Sequence, residues 1–174
     1  MAVSSLILKD ITVSFGRVGK EKIVLAALNL TLNEGIIQGV KGEVSSGKST
    51  LARIMIGEIV PLTGEVLFPK KDTSIGLLSK RQKRRLSLFV FKRNVEYFSS
   101  IEKLKNNFPQ ILVIDDIEDF DPNKLSELLY YRRANRFKTI LLSSNLSLLK
   151  QHTSNIVYLE NGTINVHPIR CGGL

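Results

Sequence analysis

Eight consecutive residues, Gly42-Glu43-Val44-Ser45-Ser46-Gly47-Lys48-Ser49, constrain this chain more than any other stretch. They fit the spacing G-x-x-x-x-G-K-[ST] of a phosphate-binding loop. Gly42 and Gly47 permit tight turns at positive φ that aim several backbone N–H groups inward. With the start of the following helix, through Ser45, Ser46 and Thr50, those groups form a partly positive nest for a polyphosphate. Lys48 is placed to reach the β- and γ-phosphates. The Ser49 hydroxyl suits Mg²⁺, a hard cation that prefers oxygen. The apolar run Ile36-Ile37-Gln38-Gly39-Val40 reads as the strand before the loop, and Ser49 to Ile56 as the helix after it, ended by Gly57. The expected class is therefore α/β: a P-loop core with a mostly parallel sheet and flanking helices, plus an N-terminal antiparallel β region.

That β region is read from Leu6 to Val13 and from Ile23 to Leu32, where Leu28, Leu30 and Leu32 alternate with polar residues. Phe15 to Lys20 is the turn between them. Downstream, Glu65 to Phe68 and Ser74 to Leu78 read as short strands. Lys80-Arg81-Gln82-Lys83-Arg84-Arg85 is a basic run. Phe91, Val95, Phe98, Ile101, Leu104 and Phe108 recur every three or four residues, which predicts one helical face, broken at Ser99-Ser100. Ile111-Leu112-Val113-Ile114-Asp115-Asp116 reads as a buried parallel strand with acids at its C-terminal end, where α/β sheets bind ligands. Asn123 to Ala134 is helical in pattern, Thr139 to Ser143 another buried strand, and Leu146 to Gln151 a short helix. Ile156 to Val166 is a hairpin on the Asn161-Gly162 turn.

A chain of 174 residues suits one domain with a sizeable core. Its expected parts are a β region (1–35), a P-loop core (36–70), a basic loop with a reduced helical segment (71–108), and a second core with the hairpin (109–174). No apolar stretch approaches the about 20 residues that span a bilayer, and Met1 to Ser5 lacks the features of a secretory signal. Cys171 stands alone, so no internal disulfide forms and a reducing, cytoplasmic compartment is expected. His152 and His167 are isolated, and no histidine metal site is expected. The net charge of +9 suits nucleotide, nucleic acid or an anionic membrane face, but on charge alone a solvated surface is the better reading.

In this order, the motifs resemble the nucleotide-binding domain of an ATP-binding-cassette (ABC) ATPase over nearly the whole chain. The resemblance implies ATP and Mg²⁺ as ligands. It makes Phe15 the aromatic that stacks on adenine, Gly42 to Thr50 the Walker A motif, and Asp115 the Walker B carboxylate that holds Mg²⁺ opposite Ser49. It places Asp116 where the family has its catalytic glutamate and Ser144, within Ser143-Ser144-Asn145, at the switch histidine. Phe120-Asp121-Pro122 resembles the D-loop; Asp121 and Pro122 also suit an ordinary helix start.

The departures matter as much. Asp116 is one methylene shorter than glutamate, and Ser144 is neither a cation nor a strong base. The interval from Gly42 to Asp115 is markedly shorter than in the family, so the helical subdomain is mostly missing or reduced to helices within Arg85 to Phe108. Leu78-Ser79-Lys80-Arg81-Gln82 resembles a degenerate signature motif in which cations replace both glycines; a displaced Q-loop and a plain basic loop are the alternatives. Lys48, Asp116 and Ser144 are the candidate catalytic groups. The expected function is the ATP-binding subunit of an ABC transporter or related complex. It would dimerise with itself or a second nucleotide-binding subunit beside a membrane permease, and hydrolyse ATP slowly. The alternative is a degenerate ATP-binding regulatory module. A nucleic-acid-associated P-loop ATPase comes third, nucleic acid being a disfavoured partner because no recognised binding motif is present.

Overall fold

A computed structural model of the chain describes residues 5–80, 95–106 and 108–166. In chain order its elements are β1 (Leu6–Phe15), β2 (Lys22–Leu32), β3 (Ile37–Lys41), α1 (Lys48–Met55), β4 (Thr63–Leu67), β5 (Ile75–Leu78) and β6 (Val95–Phe98). A 3₁₀ helix (Ile101–Asn106), β7 (Ile111–Ile114), a 3₁₀ turn (Ile117–Asp119), α2 (Pro122–Ala134), β8 (Lys138–Ser143), α3 (Leu146–His152), β9 (Ile156–Glu160) and β10 (Thr163–Asn165) follow.

The strands form two sheets. A three-stranded antiparallel sheet has the order β2-β1-β4, and a seven-stranded sheet has the order β10-β9-β3-β8-β7-β5-β6. In the larger sheet every pair from β9 to β6 is parallel, and only the β9–β10 hairpin is antiparallel. The near-continuous apolar strands follow from burial on both faces. Along β7, Ile111 and Val113 face one core while Leu112 and Ile114 face another. The first core is closed by α1 and the antiparallel sheet, through residues such as Leu6, Leu8, Leu25 and Leu51. The second is closed by α2, α3 and the 3₁₀ helices, through Leu125, Leu129, Leu149 and Leu104. Each such side chain taken from water contributes about 1.5–3 kcal/mol before the entropy of ordering is counted.

Arg132 is the largest fully buried side chain, 0% exposed on α2. Its guanidinium donates to Thr139 Oγ1 (2.7 Å) and to the carbonyls of Pro109 (3.0 Å) and Lys138 (2.8 Å). Burial pushes it down to about 9. With those acceptors satisfied, the buried cation ties α2 to the starts of β7 and β8, at the ends opposite their functional tips.

The structure corrects the reading of Phe91 to Phe108 as one helical face. Phe91 lies outside the described residues, as do Arg81 to Arg85 of the basic run. Val95–Phe98 is an edge strand parallel to β5, and Ile101–Asn106 is 3₁₀. The reason lies in the spacing itself. Ile101 and Leu104 are three apart, the period of a 3₁₀ helix, and both are buried against the second core. The earlier apolar residues satisfy a short strand equally well.

Candidate functional site

Parallel order brings the C-terminal tips of β3, β8 and β7 to one edge of the sheet, where such sheets bind ligands. Lys41, the last residue of β3, is in register with Ser143 of β8, and the Gly42 N–H donates to the Ser143 carbonyl at 3.0 Å. The phosphate loop therefore springs directly from the tip of β8's neighbour. A cleft of about 380 Å³ opens there, lined by Val24, by Val44, Ser45 and Gly47 to Thr50 of the loop, and by Asp116, Glu118 and Ser144.

The loop's backbone departs in one detail from the sequence expectation. Positive φ occurs at Gly47 (106°) and at Ser45 (66°), whereas Gly42 is not among the positive-φ residues. Gly42 is required for closeness instead: a Cβ there would overlap Ser46 Oγ and approach the Leu159 carbonyl oxygen to 3.2 Å. Gly47 needs both freedoms, since its Cβ would stand 3.0 Å from Leu25 Cδ2. Gly47 caps α1 without any side-chain hydrogen bond, so the first-turn N–H groups carry the helix's positive end toward the cleft.

Lys48 is 7% exposed, and its ammonium donates to the carbonyls of Gly42 (2.7 Å) and Glu43 (2.9 Å). The side chain thus folds back over its own loop. An incoming phosphate offers it stronger, charged acceptors.

Asp115, also 7% exposed, stands just past β7, its N–H held by the Leu78 carbonyl at 3.0 Å. Burial pushes its carboxyl above the usual range, against the pull of a hydrogen bond from the Ser49 side chain; the neighbouring Asp116 pushes it further up. Its Oδ1 has no hydrogen-bond partner, and neither does the buried Ser46 Oγ. A buried carboxylate with one orphaned oxygen, next to a serine hydroxyl and a lysine, is a costly arrangement that a cation would complete. The donor set, one carboxylate and one hydroxyl, fits Mg²⁺ completed by phosphate and water oxygens.

The facing wall holds a residue that sequence reasoning missed. Glu118 Oε1 accepts from Ser143 Oγ (2.6 Å), the Ser144 N–H (2.8 Å), Ser144 Oγ (3.1 Å) and the Asn145 N–H (3.2 Å). Burial acts to raise its pKa, but those donors outweigh it and hold the carboxyl below the usual glutamate range. Asp116 takes the left-handed conformation (φ 54°, ψ 68°) and starts the 3₁₀ turn that brings Glu118 round to β8. Ile117, 1% exposed, anchors that turn in the second core. The only sequence signal was the acidic run from Asp115 to Asp119, and nothing in it names β8 as the partner.

Among the remaining expected site residues, Ser45, Gly47, Lys48, Ser49, Thr50, Asp116 and Ser144 all line the cleft, while Asp115 lies buried behind Ser49. Phe15 stands at the end of β1, paired with Lys22 and 46% exposed, outside the cleft lining. Asp121 is the N-cap of α2, accepting from the Asn123 and Lys124 N–H groups, with Pro122 in the first turn. Of the doubtful signature, Ser79 is buried and the Lys80 ammonium lies 5.5 Å over the Phe120 ring. Arg81 and Gln82 lie outside the described residues.

The profile of the ABC transporter family matches residues 25–161, a span that runs from β2 through both walls of the cleft to the hairpin turn. The chain belongs to the ABC transporter family. The uncharacterized ABC transporter ATP-binding protein YybJ of Bacillus subtilis (strain 168) is 28% identical over 165 residues, covering 86% of this chain and 73% of YybJ. The ribose import ATP-binding protein RbsA 3 of Rhizobium meliloti (strain 1021) is 33% identical over 101 residues, covering 58% of this chain but only 19% of that protein. The chain thus matches about a fifth of that larger relative. In fold, the dimeric structure of a bacterial ABC transporter cassette superposes with a TM-score of 0.69 at 15% identity, covering 92% of this chain and 97% of that one. A mostly parallel sheet with an antiparallel β region is the architecture the sequence implied. Among the described residues, no helix is long and apolar enough to cross a membrane.

Proposed function

We propose that this ABC-family chain is the Mg-ATP-binding subunit of a transporter or related complex, with slow hydrolysis. The observation that carries the reading is the phosphate loop with Lys48 and Ser49 set against a buried, half-unpaired Asp115. The loop N–H groups and Lys48 bind the β- and γ-phosphates, Ser49 and Asp115 hold Mg²⁺, and the half-exposed Phe15 ring offers the base a stacking surface. Mg²⁺ held there by Ser49 and Asp115 would supply charge neutralisation at the phosphate oxygens. Lys48 and the loop amides stabilise the charge that develops as water attacks in line. The subunit works as a dimer, with itself or a second nucleotide-binding subunit, on the cytoplasmic side of a membrane beside a permease. A cassette of the same fold was solved with ADP and Pi bound and as a dimer.

A second reading, an ATP-binding regulatory module without turnover, is favoured by one observation. Both donors of Ser144 are already taken by Glu118 and so are not free for a γ-phosphate. Equilibrium titration with ATP, with and without Mg²⁺, and phosphate release from the same sample decide. Mg²⁺-dependent ATP binding with slow release supports the first reading, binding without release supports the second, and no ATP binding overturns both.

A further inference from the structure

The carboxylate nearest in sequence to Asp115 is Asp116, but the geometry points to a different residue for work on water. We propose that Glu118 is the carboxylate that orients the attacking water in the cleft, and that Ser144 is its positioning residue. The inference rests on the reading of the cleft as an ATP site.

Both acids line the cleft. They differ in side-chain length and in where they stand on the wall. Asp116 has the shorter side chain and sits at the left-handed start of a turn. Glu118 is clamped: four donors at and just past the tip of β8 meet its Oε1 at 2.6–3.2 Å, the Asn145 N–H being shared with Ser143 Oγ. A carboxylate fixed through one oxygen presents the other in a defined direction, which is what orientation of a nucleophile demands. The serines also change meaning. The Ser144 N–H and hydroxyl point at Glu118, so the tip of β8 serves this carboxylate rather than a phosphate. Its four donors also keep it ionised, and hence an acceptor for water, at neutral pH. A negative group on this wall repels phosphate oxygens but suits a water approaching the γ-phosphorus from the side away from Lys48.

The step balances simply. The water oxygen bonds to the γ-phosphorus. The bond from that phosphorus to the β–γ bridging oxygen breaks, and its electron pair leaves on ADP. One water proton remains on the phosphate product and the other passes to bulk water.

A bland alternative is that Glu118 only staples the turn after β7 to the turn after β8. Glu118→Gln separates the two, because the amide oxygen still accepts from the same donors while the charge is lost. For purified Glu118→Gln, phosphate release from Mg-ATP is expected to fall 100-fold or more. Its KM and the equilibrium Kd for ATP stay close to those of the wild type, while its melting temperature falls modestly at neutral pH as the charged clamp is lost. Asp116→Asn is expected to lower release less than tenfold. Ser144→Ala lowers kcat with KM unchanged, and Ser144→Thr restores it. Should Glu118→Gln fail to fold, Asp116→Asn decides alone. The proposal is overturned if Glu118→Gln keeps its rate, if Asp116→Asn loses 100-fold, or if the wild type binds ATP without releasing phosphate. Failure of the ATP site itself shows separately, as absent binding in the wild-type titration.

Discussion

The phosphate loop gathers its groups from the unbroken run Gly42 to Thr50, whereas the facing wall takes Asp115, Asp116 and Glu118 from the end of β7 and Ser143 to Asn145 from the end of β8. The first wall is local chemistry. Positive φ at Ser45 and Gly47, the close approach of Gly42 to Ser46 and the folded-back Lys48 all lie within the run Gly42 to Lys48. The second wall exists only once β7 and β8 lie side by side, and its strongest link joins residues 25 to 27 positions apart. The wall proposed to bind phosphate is thus built by sequence, and the wall proposed to act on water is built by topology.

The comparison breaks most sharply at Gly47. Gly47→Val forces a β-branched residue into φ 106° and against Leu25. We expect a loss of about 1–3 kcal/mol in stability and loss of ATP binding, measured by urea unfolding and by titration. Arg132→Met tests the floor beneath the second wall. It strands the buried acceptors Thr139 Oγ1 and the carbonyls of Pro109 and Lys138, at an expected cost of about 2 kcal/mol. ATP affinity should hold, because α1 and the loop are untouched; a matching loss of affinity would mean the two walls are not separable.

Asp115→Asn probes the junction of the walls. Asp115's pKa is raised in the folded protein, so its contribution to stability is present at acid pH and is lost as pH rises through the folded value. The variant without nucleotide should therefore melt higher than wild type at pH 7, with the difference closing toward acid pH, and its ATP binding should no longer respond to Mg²⁺. Glu118 has the opposite sign. Its pKa is lowered, so its contribution is complete above the usual glutamate value of 4.5 and is lost as pH falls through the folded value. Melting curves of wild type against Glu118→Gln should converge in acid; a gap that widens there would contradict the clamp. The smallest effect belongs to the exposed Lys124–Glu102 pair, outside both walls, where Glu102→Gln should leave melting and binding unchanged.

What the sequence made legible follows the same division. The strand before the loop, the helix after it, the buried strand ending at Asp115 and the Asn161-Gly162 hairpin were all readable, because each is encoded by a contiguous pattern. The segment from Val95 to Leu104 was misread as helical, since apolar residues three apart serve a 3₁₀ helix or an edge strand as well as an α-helix. Glu118 was invisible for a different reason. Its proposed role depends on donors at and just past the tip of β8, and a single acid in an acidic run carries no mark of a partner that only the sheet order supplies.

The most direct test of the account is an equilibrium titration of ATP with Mg²⁺ into the wild type and Lys48→Ala. The Lys48 ammonium lies over the loop on the Gly42 and Glu43 carbonyls, so its loss should weaken ATP binding about 100-fold with only a small change in the melting temperature without nucleotide. Equal affinity in the two proteins, or no binding by the wild type, would contradict it.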